Sequence, residues 1–185
     1  MSKITILVAV YNGEKYLRTC LDSLASQTLE DIQIVCIDDC STDKSCEIIS
    51  EYACKDKRFE LLKLSTNVGQ AKARNKGLEL ATGEYITMLD CDDWFKLMLY
   101  HEESGNTDKF INKTDKTILS GEEAFRLSLD WSIHGLYIVR ADIHKTYPYD
   151  TSCRLYSDDN TTRIHYLHSR KVIISDGKYF YRKHK

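Results

Sequence analysis

Seven positions near the amino end, Ile4-Thr5-Ile6-Leu7-Val8-Ala9-Val10, are almost all apolar and rich in β-branched residues. A half-exposed strand would alternate with polar residues, so this run predicts a strand covered on both faces. Tyr11-Asn12-Gly13 breaks it. Tyr16, Leu17, Cys20, Leu21 and Leu24 then recur at helical spacing, with Arg18, Asp22 and Ser23 on the other side. A second strand, Ile32-Gln33-Ile34-Val35-Cys36-Ile37, ends in Asp38-Asp39. Ser41 or Thr42 is expected to cap the next helix, which turns Cys46, Ile49 and Ala53, and more loosely Ile48 and Tyr52, towards a core. Phe59-Glu60-Leu61-Leu62-Lys63-Leu64 predicts a third strand. After Asn67-Val68-Gly69 comes a helix over about 70–81, with Thr82-Gly83 as its stop. Residues 85–89 form the fourth strand. Regular alternation of strand and helix implies an α/β fold: a doubly wound, mostly parallel sheet with right-handed crossovers and helices on both faces.

The second half is less regular. Residues 101–116 are polar and rich in Asn, Asp, Lys and Thr, which reads as a mobile loop. Ser120 suits the cap of a short helix running through Phe125 and Leu129. Leu136-Tyr137-Ile138-Val139 fits a strand or a buried helical turn equally well. Tyr147-Pro148-Tyr149-Asp150, with the chain's single proline, reads as a loop. Ser157-Asp158-Asp159 leads a helix expected to turn Ile164, Leu167 and, less firmly, Tyr166 inward. Lys171-Val172-Ile173-Ile174 predicts a last strand before the aromatic, basic end Tyr179-Phe180-Tyr181-Arg182-Lys183-His184-Lys185. No internal repeat or low-complexity segment is present.

At 185 residues the chain suits one domain with a sizeable core. Its net charge of -2 supplies no field for nucleic acid or an anionic membrane surface. No apolar run reaches membrane-span length, and Lys3 leads straight into a strand pattern, so neither a transmembrane segment nor an export signal is expected. Seven cysteines, an odd number without a C-x-x-C pair, suit a reduced cytoplasmic protein better than disulfides or a zinc site.

The candidate chemistry begins at Tyr85-Ile86-Thr87-Met88-Leu89-Asp90-Cys91-Asp92-Asp93-Trp94, where a short β-prone run ends in three carboxylates within four residues. Hard cations take oxygen ligands, and Mg²⁺ typically binds through one or two carboxylates plus substrate phosphates. Open α/β sheets bind ligands at the carboxyl ends of their strands. Mn²⁺ or Mg²⁺ with a nucleotide diphosphate is therefore expected here, against the alternative of three solvated turn residues. Cys91, lying within this cluster, is expected to block donor entry when alkylated.

The order of motifs resembles the inverting glycosyltransferases of family 2, with the GT-A nucleotide-diphospho-sugar transferase fold. The matching residues are Val10-Tyr11-Asn12, Ser26-Gln27-Thr28, Asp38-Asp39-Cys40-Ser41-Thr42-Asp43 (many members have glycine in place of Cys40), Asn67-Val68-Gly69 with Ala73-Arg74-Asn75-Lys76-Gly77, Ala81-Thr82-Gly83-Glu84-Tyr85, and Leu89-Asp90-Cys91-Asp92-Asp93-Trp94, which looks like the family's D-x-D signature. The resemblance implies one domain over residues 1–185, with a nucleotide-sugar-binding half over 1–94 and an acceptor and catalytic-base half over 95–185. It implies a nucleotide-diphosphate-sugar donor, usually uridine, a saccharide or lipid-linked acceptor, and a divalent metal. Tyr11 would lie against the base, Asp39 would hydrogen-bond its edge, Arg74 would stand near the diphosphate, Asp90 would face the ribose side, and Asp92 would be the metal ligand. Packing of Tyr11 in the core and a surface ion pair for Arg74 are the plainer alternatives.

Inversion needs a base on the far face of the sugar. The resemblance places it at Asp159, with Asp158 as the alternate, though both also suit a helix N-terminus. Between Trp94 and this pair the chain is shorter than the family pattern by about thirty residues at ordinary element sizes. Trp131, His134, Tyr137 and Arg140 are then acceptor-side or phosphate-side candidates, His134 being also a candidate structural histidine. The implied setting is bacterial surface polysaccharide or glycolipid synthesis, in the cytoplasm or at the inner face of the membrane. A non-catalytic nucleotide-sugar-binding module is the alternative. A nucleotidyltransferase fits less well, since Tyr11-Asn12-Gly13-Glu14 is no Gly-rich phosphate loop.

Overall fold

The computed structural model describes residues 2–95, 114, 116–130, 132, 137–152, 157–174 and 179–180. In chain order its elements are β1 (Ile4–Val10), α1 (Glu14–Ala25), β2 (Ile32–Asp38), α2 (Ser45–Lys55), β3 (Phe59–Lys63), α3 (Gln70–Leu80), β4 (Tyr85–Met88), β5 (Trp94–Phe95), β6 (Ile118–Leu119), α4 (Gly121–Leu129), β7 (Val139–Arg140), α5 (Ala141–Thr146), α6 (Ser157–Leu167), β8 (Val172–Ile173) and β9 (Tyr179–Phe180). The central sheet runs β3-β2-β1-β4-β7; its first four strands are parallel and β7 closes the edge antiparallel.

Side-chain alternation along β1 divides the core into two layers. Ile6, Val8 and Val10 meet Leu17, Cys20, Leu21 and Leu24 of α1 and Ile48 and Ile49 of α2. Leu7 and Ala9 point the other way, towards Ala73 and Leu78 of α3, with Ile86 and Tyr149 completing that layer. Each fully buried aliphatic side chain contributes about 1.5–3 kcal/mol relative to exposure, so the two layers dominate the stability of this half. Close packing on the second layer needs Gly77: a Cβ there would stand 2.6 Å from Ile37 Cδ1.

Several local expectations are corrected. Neither Ser41 nor Thr42 caps α2. The residue before the helix is Lys44, without a side-chain cap bond, and Asp43 Oδ1 accepts from Ser45 N at 2.9 Å instead. The buried residues of α2 are Ser45, Ile48 and Ile49, and Cys46 is half-buried. Helix α3 does end just before Thr82-Gly83, through extended Ala81. Gly83 is required by close approach: its N–H donates to Thr5 Oγ1, and a Cβ would lie 2.5 Å from Thr5 N. Gln33, buried in the sheet, receives Thr5 Oγ1 and Thr82 N and donates to Leu80 O, tying the end of α3 to the strands.

In the second half, Ser120 caps α4 as expected, in a capping box with Glu123. Helix α6 buries Ser157, Thr161 and His165, whereas Ile164 and Leu167 are exposed and Tyr166 is half-buried. Ile164 and Leu167 do not mark its inner face, which grips backbone through Thr161 and His165, while Tyr166 packs beside Leu119 and Ala124. Of the 136–139 run, Val139 joins a strand, while Leu136 lies outside the described residues. The 171–174 strand is present as β8, paired with β6. The expected 101–116 loop is outside the described residues except for positions 114 and 116, and so is the basic end from 181 onward.

Gly69 opens α3 at φ 87°, ψ 156°, a region open essentially to glycine alone, and nothing lies within 4 Å of where a Cβ would stand. Gly69→Ala should therefore cost about 1–3 kcal/mol through backbone strain alone, read as a lower urea midpoint at constant slope. An unchanged midpoint would show that this turn relaxes freely.

Candidate functional site

At the carboxyl ends of β1 and β2 two loops are sewn together by reciprocal side-chain-to-backbone bonds. Asn12 N donates to Ser41 Oγ at 3.0 Å, and Thr42 N returns a bond to Asn12 Oδ1 at 2.8 Å. Gly13 N donates to Ser45 Oγ at 2.9 Å and Glu14 N to Asp43 Oδ2 at 3.0 Å. Asp43 thus serves the first turns of both α1 and α2. Burial works against its charge, but bonds from Ser45 and Glu14 hold its carboxyl below the ordinary range. Asn12 and Cys40 adopt left-handed backbone, φ 52° and 62°. Glycine suits the Cys40 position because it takes that conformation without the Cβ penalty.

Asp39, 3% exposed, spans to the next loop: its two oxygens accept from Val68 N at 2.8 Å and Gly69 N at 2.9 Å. Its immediate structural work is to fix the entrance to α3, and each oxygen retains a second lone pair. Tyr11 stands at the rim, 52% exposed, which removes core packing as its role.

Helix α3 then presents Arg74 from within. The guanidinium is 1% exposed and Nη2 donates to Asp90 Oδ1, which also accepts from Gln70 Nε2 at 3.1 Å. This is no surface ion pair. Burial opposes the Arg74 charge, yet Asp90, Tyr149 and Asp158 together outweigh it and raise its pKa. The Tyr149 ring lies 5.3 Å from the guanidinium carbon. The acidic helix α6 is tied to this place through the Tyr149 segment, whose Asp150 N donates to Thr161 Oγ1 at 3.1 Å. Asp158, in the first turn of α6, acts on both Arg74 and Tyr149. Asp159 follows it, half-buried, with its N–H on Asp158 Oδ1 at 3.0 Å.

Asp93 is buried and Asp92 half-buried in the turn after β4, closed by Asp93 N on Asp90 O at 3.0 Å. Among the described residues no three His, Cys, Asp or Glu side chains gather as a complete ligand set. A partly open aspartate beside a paired one fits an ion that takes one or two carboxylates and completes its shell from phosphates. Asp92 would hold such an ion, and Asp90 flanks it. Cys91 does not face this opening. Its thiol packs under Gly13, where a Cβ would stand 3.1 Å from Sγ, and burial followed by Asp92 and Asp90 pushes its pKa up to about 12.

Four further residues escaped the sequence reading. Asn75, inside a matched motif but without an assigned role, bonds the Tyr149 backbone in both directions. Tyr149 is buried, while His144 and His165 stack edge-on at 4.5 Å. Nothing in the hydrophobic period marks these two histidines. Of the acceptor-side candidates, Trp131 and His134 lie outside the described residues. Tyr137 is structural: its hydroxyl meets His165 Nδ1 at 3.0 Å, and its carbonyl accepts from Thr87 Oγ1. Arg140 is paired with Asp142 and sits opposite Tyr85, at the amino end of β4 and away from the site.

A mostly parallel sheet with acid-bearing loops gathered at its carboxyl edge defines a GT-A type α/β protein, and the solved structures agree. Staphylococcus aureus TarS 1-349 in complex with UDP-GlcNAc superposes with a TM-score of 0.81 at 24% identity, over 99% of this chain and 59% of that one. The mannosyltransferase PcManGT from Pyrobaculum calidifontis, in complex with GDP-Man and Mn²⁺, gives 0.68 at 19% identity, over 94% and 55%. Residues 5–101 match Glycosyl transferase family 2, and the chain belongs to that family. The glycosyltransferase GlyG of Streptococcus pneumoniae serotype 4 is 27% identical over 212 residues, covering 97% of this chain and 70% of that protein. Relatives 47–50% identical over about half of this chain are matched across only 13% to 38% of their own length.

Burial, then His165 and Arg74, push the His144 pKa down from 6.5 to about 3. An unfolded chain binds a proton there between those values while the native one does not, so stability present above pH 6.5 is lost as pH falls. Melting temperature should drop between pH 6.5 and 4.5, and His144→Phe, with no nitrogen to protonate, should flatten that slope. Parallel slopes for the two proteins would contradict a buried neutral imidazole.

Proposed function

We propose that this chain transfers a sugar, with inversion, from a nucleotide-diphosphate donor to an acceptor hydroxyl. One observation carries the reading: the segment whose Tyr149 ring lies 5.3 Å from the guanidinium carbon of the Arg74–Asp90 pair is also held, at Asp150 N, by Thr161 of the acidic helix α6, so elements from opposite halves of the sequence stand against one segment. The donor lies over the stitched loops, its base against exposed Tyr11, within reach of the free lone pairs of Asp39. Uridine is favoured by the UDP-GlcNAc in the TarS complex. Arg74, being enclosed, reaches the donor through Asp90, whose carboxylate it holds in one orientation towards the ribose side. Asp92 is the metal ligand, a role supported by the Mn²⁺ in PcManGT. A divalent ion bound there supplies Lewis-acid neutralisation of the departing diphosphate.

The acceptor hydroxyl gives its proton to a carboxylate in the first turn of α6. Asp159 is our assignment for that base; the electrostatic reach of Asp158 to Arg74 and Tyr149 supports Asp158 as the alternate. Among the described residues no helix is long and apolar enough to cross a membrane. An acceptor carried by saccharide or lipid at the inner face of the membrane fits polymer-building relatives such as the teichoic acid poly(glycerol phosphate) polymerase of Staphylococcus epidermidis. The second reading, a module that binds donor without turnover, is favoured by one fact: the 212-position alignment with GlyG exceeds this chain's 185 residues, so that relative carries segments absent here.

Two measurements test the assignment. Asp92→Ala should lose the Mn²⁺-dependent part of UDP affinity in titration calorimetry; identical constants with and without Mn²⁺ in both proteins would remove Asp92 as ligand. Replacing the base with asparagine should lower turnover by about 10²–10⁴ while UDP still binds. If Asp158→Asn shows that loss and Asp159→Asn does not, the alternate is the base; if neither does, the base is not on α6.

A further inference from the structure

The buried face of α6 is polar at Ser157, Thr161 and His165, one residue per turn. That stripe grips a backbone segment. Tyr147 O meets His165 Nε2 at 2.7 Å, and Asp150 N donates to Thr161 Oγ1 at 3.1 Å. Thr161 Oγ1 in turn donates to Ser157 O at 2.6 Å, in the turn that carries Asp158 and Asp159. Because Nε2 faces a carbonyl it carries the ring proton, and Nδ1 accepts from the Tyr137 hydroxyl.

The opposite side of the same segment is held from α3. Asn75 Oδ1 accepts from Tyr149 N at 2.8 Å, and Asn75 Nδ2 donates to Tyr149 O at 2.9 Å. Only a short carboxamide offers one donor and one acceptor at this reach; aspartate would set an oxygen against the Tyr149 carbonyl. Tyr147 N bonds Ile143 O at 2.9 Å, and Pro148 has no N–H to satisfy. Every backbone N–H from 147 to 150 is thus placed. The Tyr149 ring covers Arg74, next to Asn75 in sequence, and its hydroxyl donates to Met88 Sδ at 3.3 Å on β4.

We infer that residues 147–150 are a strap, held by Asn75 on one side and Thr161 and His165 on the other, which registers the acidic turn of α6 against the Arg74–Asp90 pair. Asn75 is on this view a positioning residue: α3 offers Arg74 to the donor side and Asn75 to the base side. The inference deepens the proposed transfer reaction and rests on α6 supplying its base.

Asn75→Ala, Thr161→Val and Thr161→Ser test it by two independent readouts. In hydrogen–deuterium exchange, Asn75→Ala and Thr161→Val should speed the amides of residues 157–163 on the order of tenfold, leave those of β1 and β2 unchanged, and Thr161→Ser should restore protection. In donor turnover, the same two variants should lower kcat by about tenfold or more, since displacement of a base by an ångström is costly, while KM for donor and UDP affinity stay within about twofold; Thr161→Ser should recover kcat. Unaltered exchange in both variants overturns the strap. Loosened exchange with unchanged kcat overturns its positioning role, and so does equal loss of kcat and UDP affinity. If the unmodified chain shows no turnover, the transfer reading fails instead, and exchange alone decides whether the strap exists.

Discussion

A guanidinium withdrawn from water must be paired, and the pairing of Arg74 with Asp90 is the constraint around which this structure is built. An unpaired buried charge costs several kcal/mol, so α3 and the turn after β4 cannot drift apart. Their approach in turn demands Gly77 under Ile37 and Leu7, and a glycine conformation where Gly69 admits the chain to the helix. Asp39 closes the same circuit from β2 by holding the amides of Val68 and Gly69. Residues that read as a list of motifs along the chain are, in space, one set of mutual supports.

The supports are mostly side chain to backbone. Asn12, Ser41, Asp43 and Ser45 satisfy amides across two loops; Asn75 and Thr161 do so from two helices, and His165 meets the Tyr147 carbonyl. Such bonds fix loops that carry no regular ladder of their own, and buried amides left unmet would each be costly. Tyr11 and Asp92 are the more open side chains of this set, while Arg74 and Asp39 lie beneath them.

How much of this was legible follows from what periodicity can encode. The first four strands and α3 fall within a residue of their expected ends, because apolar runs and helical spacing report burial directly. The gathering of Tyr11, Asp39, Arg74, Asp90 and Asp92 on one edge follows from parallel strand topology once those elements are known. Partners did not follow: that Asp39 holds amides, that Cys91 turns inward, and that Arg140 sits at the opposite end of β4 depend on loop paths and an antiparallel pairing no local pattern states. Helix α6 was misjudged for a related reason. Its inner face binds backbone through Thr161 and His165, so Ile164 and Leu167 point to solvent and only Tyr166 packs inward, beside Leu119 and Ala124. Strands of two residues, such as β5 and β6, are too short to show a period.

The most direct measurement is a crystal structure of the chain with UDP and Mn²⁺. The account predicts the uracil against Tyr11, the ion bonded to an Asp92 oxygen at about 2.0–2.3 Å as hard oxygen ligands require, and the diphosphate beside Asp90. Nucleotide bound away from the carboxyl ends of β1, β2 and β4, or an ion with no contact to Asp92, would contradict it.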